Sequence, residues 1–145
     1  MIKTGIIGYG KMGEIRHQAI NEVGLAEVIA ISEPNLSQEI EDIPNLSPEE
    51  IVNHKEIEAV IICTPNFLNK DLTIRSLDNG KHVFCEKPPC FTAEEMKLII
   101  DAEKRSEKKL MYGFNHRHHD SIIRMKEIVE EKKYGNILWM SGRYG

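Results

Sequence analysis

Three glycines and an acid near the amino terminus have the spacing of a phosphate-binding loop. Gly8, Gly10 and Gly13 form a GxGxxG pattern that follows an apolar run and opens a segment of helical period. In such a loop the first glycine permits a tight turn, the second lets the backbone approach a pyrophosphate, and the third lets the helix pack on the strand. Taken alone, the pattern also occurs in tight turns that bind no ligand.

Glu33 favours a dinucleotide site over a simple turn. It lies 20 residues beyond Gly13, at the end of the second predicted strand, where a carboxylate accepts hydrogen bonds from the adenosine ribose. Its charge repels the 2′-phosphate of NADP, and no Arg or Lys occurs between Glu33 and Glu41. The sequence therefore predicts NAD rather than NADP. The alternative is a solvated loop acid before Pro34.

Two later apolar runs also end in polar residues. Residues 59–63 lead into Thr-Pro-Asn at 64–66, and residues 82–85 lead into Glu86 and Lys87. Because ligands of open parallel sheets bind outside the carboxyl ends of strands, we expect Lys87 to lie beside a nicotinamide. There its ammonium can orient a substrate hydroxyl or take part in moving its proton, while the cofactor supplies hydride transfer. The alternative is a surface ion pair with Glu86.

The scaffold for these residues alternates short β-branched runs with helical segments, which is typical of βαβ units. Strands are predicted at residues 2–7, 27–32, 58–63, 82–85 and 109–113. Helices are predicted at residues 11–23, after a Ser47 cap, at 67–77 and after a Thr92 cap. Residues 34–44 are predicted to be a loop with at most one helical turn and a weak edge strand. The fold class predicted is α/β, with a doubly wound parallel sheet.

The apolar side chains of two of these helices predict their buried sides. On the first helix the predicted stripe contains Met12, Ile15, Ala19 and Val23. On the helix predicted after the Thr92 cap, the buried side contains Met96, Leu98, Ile99, Ile100 and Ala102.

The chain's 145 residues correspond to about one domain, yet the pattern changes near its end. We expect a cofactor-binding domain over residues 1–115. Residues 116–145 are predicted to be a linker helix at 121–133 and a strand at 136–141, the start of a second, α+β substrate domain.

Charge and hydropathy exclude several classes of protein. The net charge is -4, whereas nucleic-acid affinity depends on clustered Lys and Arg. The longest apolar runs fall far short of the roughly 20 residues of a membrane helix, and the first residues do not form a signal peptide. We therefore predict a cytoplasmic protein that binds neither nucleic acid nor membrane.

The cysteines and clustered histidines suggest no metal. Cys63, Cys85 and Cys90 are odd in number and show no CxxC spacing, so we expect reduced thiols rather than disulfides or a zinc site. The histidines at 116, 118 and 119 lack a nearby carboxylate framework, and we interpret them as a polar turn.

Four blocks, in order along the chain, resemble the amino-terminal half of the Gfo/Idh/MocA oxidoreductases. They are GYGKMG at 8–13, TPN at 64–66, GKHVFCEKP at 80–88 and GFNHR at 113–117. The resemblance implies a Rossmann domain followed by a mainly antiparallel α/β domain. It also implies NAD or NADP and a substrate that is a sugar, cyclitol or nucleotide-sugar hydroxyl compound, with a homo-oligomer expected for the full-length protein.

The resemblance implies a role for individual residues. Lys87 corresponds to the catalytic lysine beside nicotinamide and substrate. The cofactor-binding residues implied are Gly8, Tyr9, Gly10, Lys11, Met12, Gly13, Glu33, Cys63, Thr64, Pro65, Asn66, Glu86, Lys87 and Asn115.

The sequence also departs from the family pattern. Asn69 stands where many relatives have His, which predicts altered hydrogen bonding at the site. A further Asp and His pair, usual on the second domain, is not identified in this sequence. The chain is therefore interpreted as the cofactor-binding half of an NAD-dependent dehydrogenase, inactive by itself. The alternative is a nonenzymatic dinucleotide-binding sensor.

Overall fold

A five-stranded sheet lies at the centre of the first of two structural units. The computed structural model describes residues 1–36, 40 and 42–143. Its units are Met1–Gly113 and Phe114–Gly145. The first unit contains β1 (Ile2–Ile7), α1 (Lys11–Val23), β2 (Ala26–Ser32), α2 (Pro48–Asn53), β3 (Ala59–Ile62), α3 (Asn66–Asp78), β4 (His82–Cys85), α4 (Ala93–Ser106) and β5 (Leu110–Tyr112).

The strands are all parallel and follow the order β2-β1-β3-β4-β5. After β1 the chain passes through α1 to β2 on one side, then returns to β3 on the other side of β1. The order therefore reverses between β1 and β3. In open parallel sheets a ligand crevice forms at this point, beyond the carboxyl ends of the strands.

Helices cover both faces of the sheet, which confirms the predicted doubly wound α/β fold. Successive strand residues point to opposite faces, so Ile6 and Ile7 enter different cores. Ile6 packs with Val28, Ile31 and the α1 residue Ile20. Ile7 belongs to the larger core, to which the other three helices contribute Ile51, Val52, Leu72, Leu77 and Ala102.

The predicted helix starts at Ser47 and Thr92 are confirmed. The Ser47 hydroxyl accepts a hydrogen bond from the Glu50 amide at 3.2 Å, and the Glu50 carboxylate accepts one from the Ser47 amide at 2.8 Å. The Thr92 hydroxyl accepts the Glu95 amide in the same way at 3.2 Å. Each cap satisfies donors that have no partner within the helix and is worth about 1 kcal/mol.

The predicted buried stripes of α1 and α4 are partly wrong. Val23 is 66% exposed and Leu98 is 54% exposed, and Ile15 and Ile100 are exposed as well. On α1 the side that meets the sheet instead carries Gly13 and Ile20. Each helix contacts the sheet along a narrow strip. If the helix is rotated about its axis by one residue position from the predicted orientation, its large apolar side chains face solvent.

In the described residues, the predicted edge strand within residues 34–44 is reduced to isolated bridges, one of which pairs Ile40 with Ile43 in an antiparallel sense. Ile31 forms one parallel bridge with Asn45, through bonds from Ile31 N to Pro44 O at 3.0 Å and from Leu46 N to Ile31 O at 2.8 Å. Residues 37–39 and 41 of the predicted loop lie outside the described part of the chain.

The second unit consists of a 3-10 turn at Asn115–His118 and helix α5 at Asp120–Glu130. The strand predicted at 136–141 is wrong, because none of these residues is in a strand and Leu138 is 96% exposed. A strand requires a hydrogen-bonded neighbour, which an apolar run cannot supply by itself. Residues 144 and 145 are not described. Across the described residues, no helix has the length and hydrophobicity needed to cross a bilayer.

Candidate functional site

The turn between β1 and α1 requires glycine at two of its three predicted positions. Gly8 has a φ of +89°, and a Cβ there would lie 2.6 Å from the carbonyl oxygen of Cys63. A Cβ at Gly13 would lie 2.3 Å from the carbonyl oxygen of Gly8, so only glycine lets α1 pack this closely. A Cβ at Gly10 would meet nothing within 4 Å. The open face at Gly10 adjoins the unpaired amides of the first turn of α1, which suit an anion.

Glu33 lies beside this turn and is held there by backbone amides. Its Oε2 accepts a hydrogen bond from the Tyr9 amide at 3.0 Å, and its Oε1 accepts one from the Asn35 amide at 3.2 Å. Asn45 fixes the backbone of Glu33, accepting from its amide and donating to its carbonyl oxygen, both at 2.9 Å. The carboxylate is therefore oriented before any ligand binds.

A cleft of about 780 Å³ opens at the carboxyl ends of β1, β2 and β3. The predicted residues that line it are Gly8, Gly10, Glu33, Cys63, Thr64 and Pro65. Ser32, Asn45, Leu46 and Leu68 also line it and were not predicted. Its position coincides with the reversal of strand order between β1 and β3, where the fold is expected to bind a ligand.

The Tyr9 side chain packs against His17 of α1. Its hydroxyl lies 2.5 Å from Nδ1 of His17, and the two rings meet edge to face. Burial raises the pKa of Tyr9 and lowers the pKa of His17. Both groups are therefore neutral near pH 7, and the pair fixes the loop through packing and one hydrogen bond.

The two cysteines nearest the cleft are neutral thiols. Burial, with a smaller contribution from the Glu86 charge, raises the pKa of Cys63 to about 12. Burial likewise raises the pKa of Cys85 to about 12. Because the thiolate is the nucleophilic form, neither side chain is activated for covalent chemistry.

Glu86 and Lys87 follow β4 and differ in their environments, since Glu86 is buried and Lys87 is exposed. The Glu86 carboxylate is buried and forms an ion pair with Arg16, whose Nε lies 2.8 Å from Glu86 Oε1. A Cβ at Gly113 would lie 2.8 Å from the other carboxylate oxygen, so a larger residue there would displace the carboxylate. Lys87 is exposed and precedes a cis peptide bond to Pro88. Glu86 thus pairs with a helix α1 residue and not with its neighbour Lys87.

Comparison with known proteins identifies the family. The model of the Gfo/Idh/MocA oxidoreductase family, NAD-binding Rossmann fold, matches residues 2–114. The chain belongs to the Gfo/Idh/MocA family. The resemblance predicted from the four sequence blocks is therefore confirmed, and the cleft described above belongs to a dinucleotide-binding Rossmann fold.

Members of the Gfo/Idh/MocA family with known names are similar to nearly the whole chain. Inositol 2-dehydrogenase from Salmonella typhimurium is 29% identical over 154 residues, covering 99% of this chain and 46% of that protein. Levoglucosan dehydrogenase from Pseudarthrobacter phenanthrenivorans is 31% identical over 158 residues, covering 99% and 40%. The crystal structure of scyllo-inositol dehydrogenase from Lactobacillus casei superposes with a TM-score of 0.83 at 27% identity, covering 93% and 43%. The chain thus spans less than half the length of these relatives.

The remaining residues predicted from the Gfo/Idh/MocA pattern lie outside the cleft lining. Lys11 and Met12 are in the first turn of α1, and Asn66 is the first residue of α3. Asn115 lies in the 3-10 turn of the second unit. Their contacts with a cofactor stay predictions.

Asn45 and Arg16 are among the site residues that the sequence did not predict. Asn45 directly follows the segment predicted as a loop at 34–44, and Arg16 lies within the predicted helix with no motif to mark it. Both act on partners that are distant in sequence. The one local indication of a role for Arg16 was its position on α1, one turn beyond Gly13 of the glycine loop.

Proposed function

We propose that this chain is the cofactor-binding half of an NAD-dependent dehydrogenase that acts on a hydroxyl group of a sugar, cyclitol or nucleotide sugar. The observation that carries the proposal is the cleft in which the open face of Gly10 and the carboxylate of Glu33 lie together. The names of the inositol and levoglucosan dehydrogenases support the substrate class.

The residues of the cleft fit a dinucleotide. The absence of a side chain at Gly10 leaves room for a pyrophosphate against the first turn of α1. Glu33 would accept hydrogen bonds from the adenosine ribose, and its negative charge would repel the 2′-phosphate of NADP. These features support NAD over NADP. The bound nicotinamide would supply the hydride chemistry.

Lys87 is the group we propose for proton transfer. It lies at the carboxyl end of β4, one strand beyond the cleft, and is exposed. Among the described residues no carboxylate or carbonyl group bonds its ammonium, so it is available to hydrogen-bond a substrate hydroxyl. A positioned lysine of this kind can orient the hydroxyl and take part in moving its proton as hydride leaves carbon.

We also propose that the whole protein is a homo-oligomer of the cytoplasm with a small polyol or sugar as its partner. Three cysteines that form no disulfide with one another support a reducing compartment.

The proposal is tested on the complete protein by calorimetric titration with NAD and NADP, followed by a panel of inositols and sugars. We expect NAD to bind more tightly than NADP, and a polyol to drive formation of reduced nicotinamide. Folded protein that binds no NAD would contradict the cofactor assignment. Binding of NAD without turnover of any polyol would contradict the enzymatic one.

A further inference from the structure

One buried amide joins the cofactor cleft to the lysine loop. Asn69, in the first turns of α3, is 0% exposed. Its Oδ1 accepts a hydrogen bond from the Thr64 hydroxyl at 3.0 Å. Its Nδ2 donates to the carbonyl oxygens of Glu86 at 3.2 Å and Pro88 at 2.9 Å. The side chain thus uses both of its N–H groups and one oxygen lone pair in the protein interior.

The direction of these bonds leaves a single orientation for the amide. Carbonyl oxygens only accept hydrogen bonds, so the Nδ2 group must face Glu86 and Pro88 and the Oδ1 must face Thr64. The Thr64 hydroxyl then donates its hydrogen to Asn69. The Thr64 oxygen can therefore only accept hydrogen bonds from groups in the cleft.

The two carbonyl groups that accept hydrogen bonds from Asn69 belong to the residues directly before and after Lys87. On the Glu86 side the backbone is also held by a bond from the Glu86 amide to Ile62 at 2.9 Å. In the described part of the chain, the only hydrogen bond made by the backbone of residues 87–90 is the one from Asn69 to Pro88. The loop that carries Lys87 therefore depends on a single side chain beyond the end of β4.

We propose that Asn69 is the positioning residue for Lys87, acting by fixing the carbonyl groups before and after it. The inference rests on the proposed function, since it concerns how Lys87 is aimed. Because the Lys87 ammonium has no side-chain partner among the described residues, its location follows from its backbone. A displacement of about 1 Å at such a group can cost about 100-fold in rate.

Two substitutions and one matched control test the proposal in the complete protein. N69L keeps the branching of the side chain, with two methyl groups that are bulkier than the amide, and removes all three hydrogen bonds. N69H keeps a ring N–H that can reach one of the two carbonyl groups. The control is S76A, because Ser76 is also on α3 and fully buried, but its hydroxyl has no hydrogen-bond partner among the described residues.

Three measurements separate positioning from general stability. They are kcat and KM for the polyol, the pH profile of kcat/KM, and the position of the backbone at 86–90 in crystal structures of the parent and the variants. We expect N69L to lower kcat by about 100-fold and to change the pH profile of kcat/KM. N69H should recover part of kcat, and S76A should match the parent. The backbone at 87–90 should be displaced in N69L while β1 is unchanged.

Several results would overturn the inference. One is an N69L protein with the parental kcat, pH profile and backbone position at 87–90. Another is a loss of activity that only follows the folded fraction, with an unchanged profile. If N69L does not fold, N69A decides, because it removes the same three hydrogen bonds with a smaller side chain, and a parental profile in N69A counts against positioning. Absence of polyol turnover in the parent would instead refute the proposed function, and the position of the backbone at 87–90 in crystal structures of N69L and the parent would then decide whether Asn69 fixes the loop.

Discussion

Arg16 and Glu86 are 70 residues apart in the sequence and form an ion pair whose side chains are only 19% and 10% exposed. The pair fastens α1, which carries the glycine loop, to the end of β4, which carries Lys87. The guanidinium also lies over the Phe84 ring, 4.8 Å from its centroid. This buried ion pair, together with the bonds of Asn69, joins the two halves of the proposed site.

Replacing Arg16 should therefore destabilise the fold strongly. R16M leaves the Glu86 carboxylate buried without its partner, which costs about 3 to 5 kcal/mol of unfolding free energy. Urea denaturation measures the change. The matched control is R105M, because the pair between Arg105 and Asp78 is exposed and should be worth about 1 kcal/mol or less. Equal losses in the two variants would contradict the buried role of Arg16.

The same substitution at two glycines should have opposite effects. G13A places a Cβ 2.3 Å from the Gly8 carbonyl oxygen and should cost about 1 to 3 kcal/mol of stability. G10A places its Cβ in open space, so the melting temperature should stay near that of the parent while NAD binding is lost. Thermal melts and calorimetric titration measure both. Unchanged NAD affinity in G10A would show that the pyrophosphate binds elsewhere.

Substitution of Lys87 should reduce turnover without affecting cofactor binding. In the complete protein, K87M should lower kcat by well over tenfold, on the order of 100-fold, because a positioned proton-transfer group is removed. The Kd for NAD should be nearly unchanged. K97M, at an exposed position on α4, is the control. Parental kcat in K87M would remove Lys87 from the mechanism.

Glu33 should determine the choice between the two nicotinamide cofactors. E33Q keeps an oxygen that can accept the Tyr9 amide but lacks the charge that repels a 2′-phosphate. We expect a weaker interaction with NAD, by about 1 kcal/mol, and a stronger one with NADP. Calorimetric titration of E33Q and of E22Q, an exposed acid on α1, measures both. A parental preference for NAD in E33Q would exclude Glu33 as its cause.

The buried thiols should make the protein less stable at alkaline pH. In the unfolded chain a thiol ionises near pH 9.0, whereas the pKa of folded Cys85 is about 12. Between these values the folded state retains a proton that the unfolded state loses, so the unfolding free energy falls as pH rises, by at most about 1.4 kcal/mol per pH unit for each thiol. Urea titrations from pH 8 to 11 should give a shallower slope for C85A than for C90A. Identical slopes would refute this.

Much of the fold and part of the site could be predicted from neighbouring residues. The positive φ of Gly8, the close packing of Gly13 on the Gly8 carbonyl and the cap at Ser47 each depend on atoms only a few positions away. The alternation of strands and helices predicted the parallel sheet for the same reason. The strand expected at 136–141 failed because strand formation depends on a partner, which apolar residues in one segment do not specify.

The sequence by itself determined that the glycine loop lies between a strand and a helix and that Glu33 and Lys87 follow the ends of strands, because periodicity and capping act over a few residues. Only the tertiary structure decided which side of α1 and α4 is buried, that Glu86 pairs with Arg16 and not Lys87, and that Asn69 grips the loop around Lys87. These contacts join residues 17 to 70 positions apart. Their partners are set by sheet order and strand register, which bring together atoms that no local pattern connects.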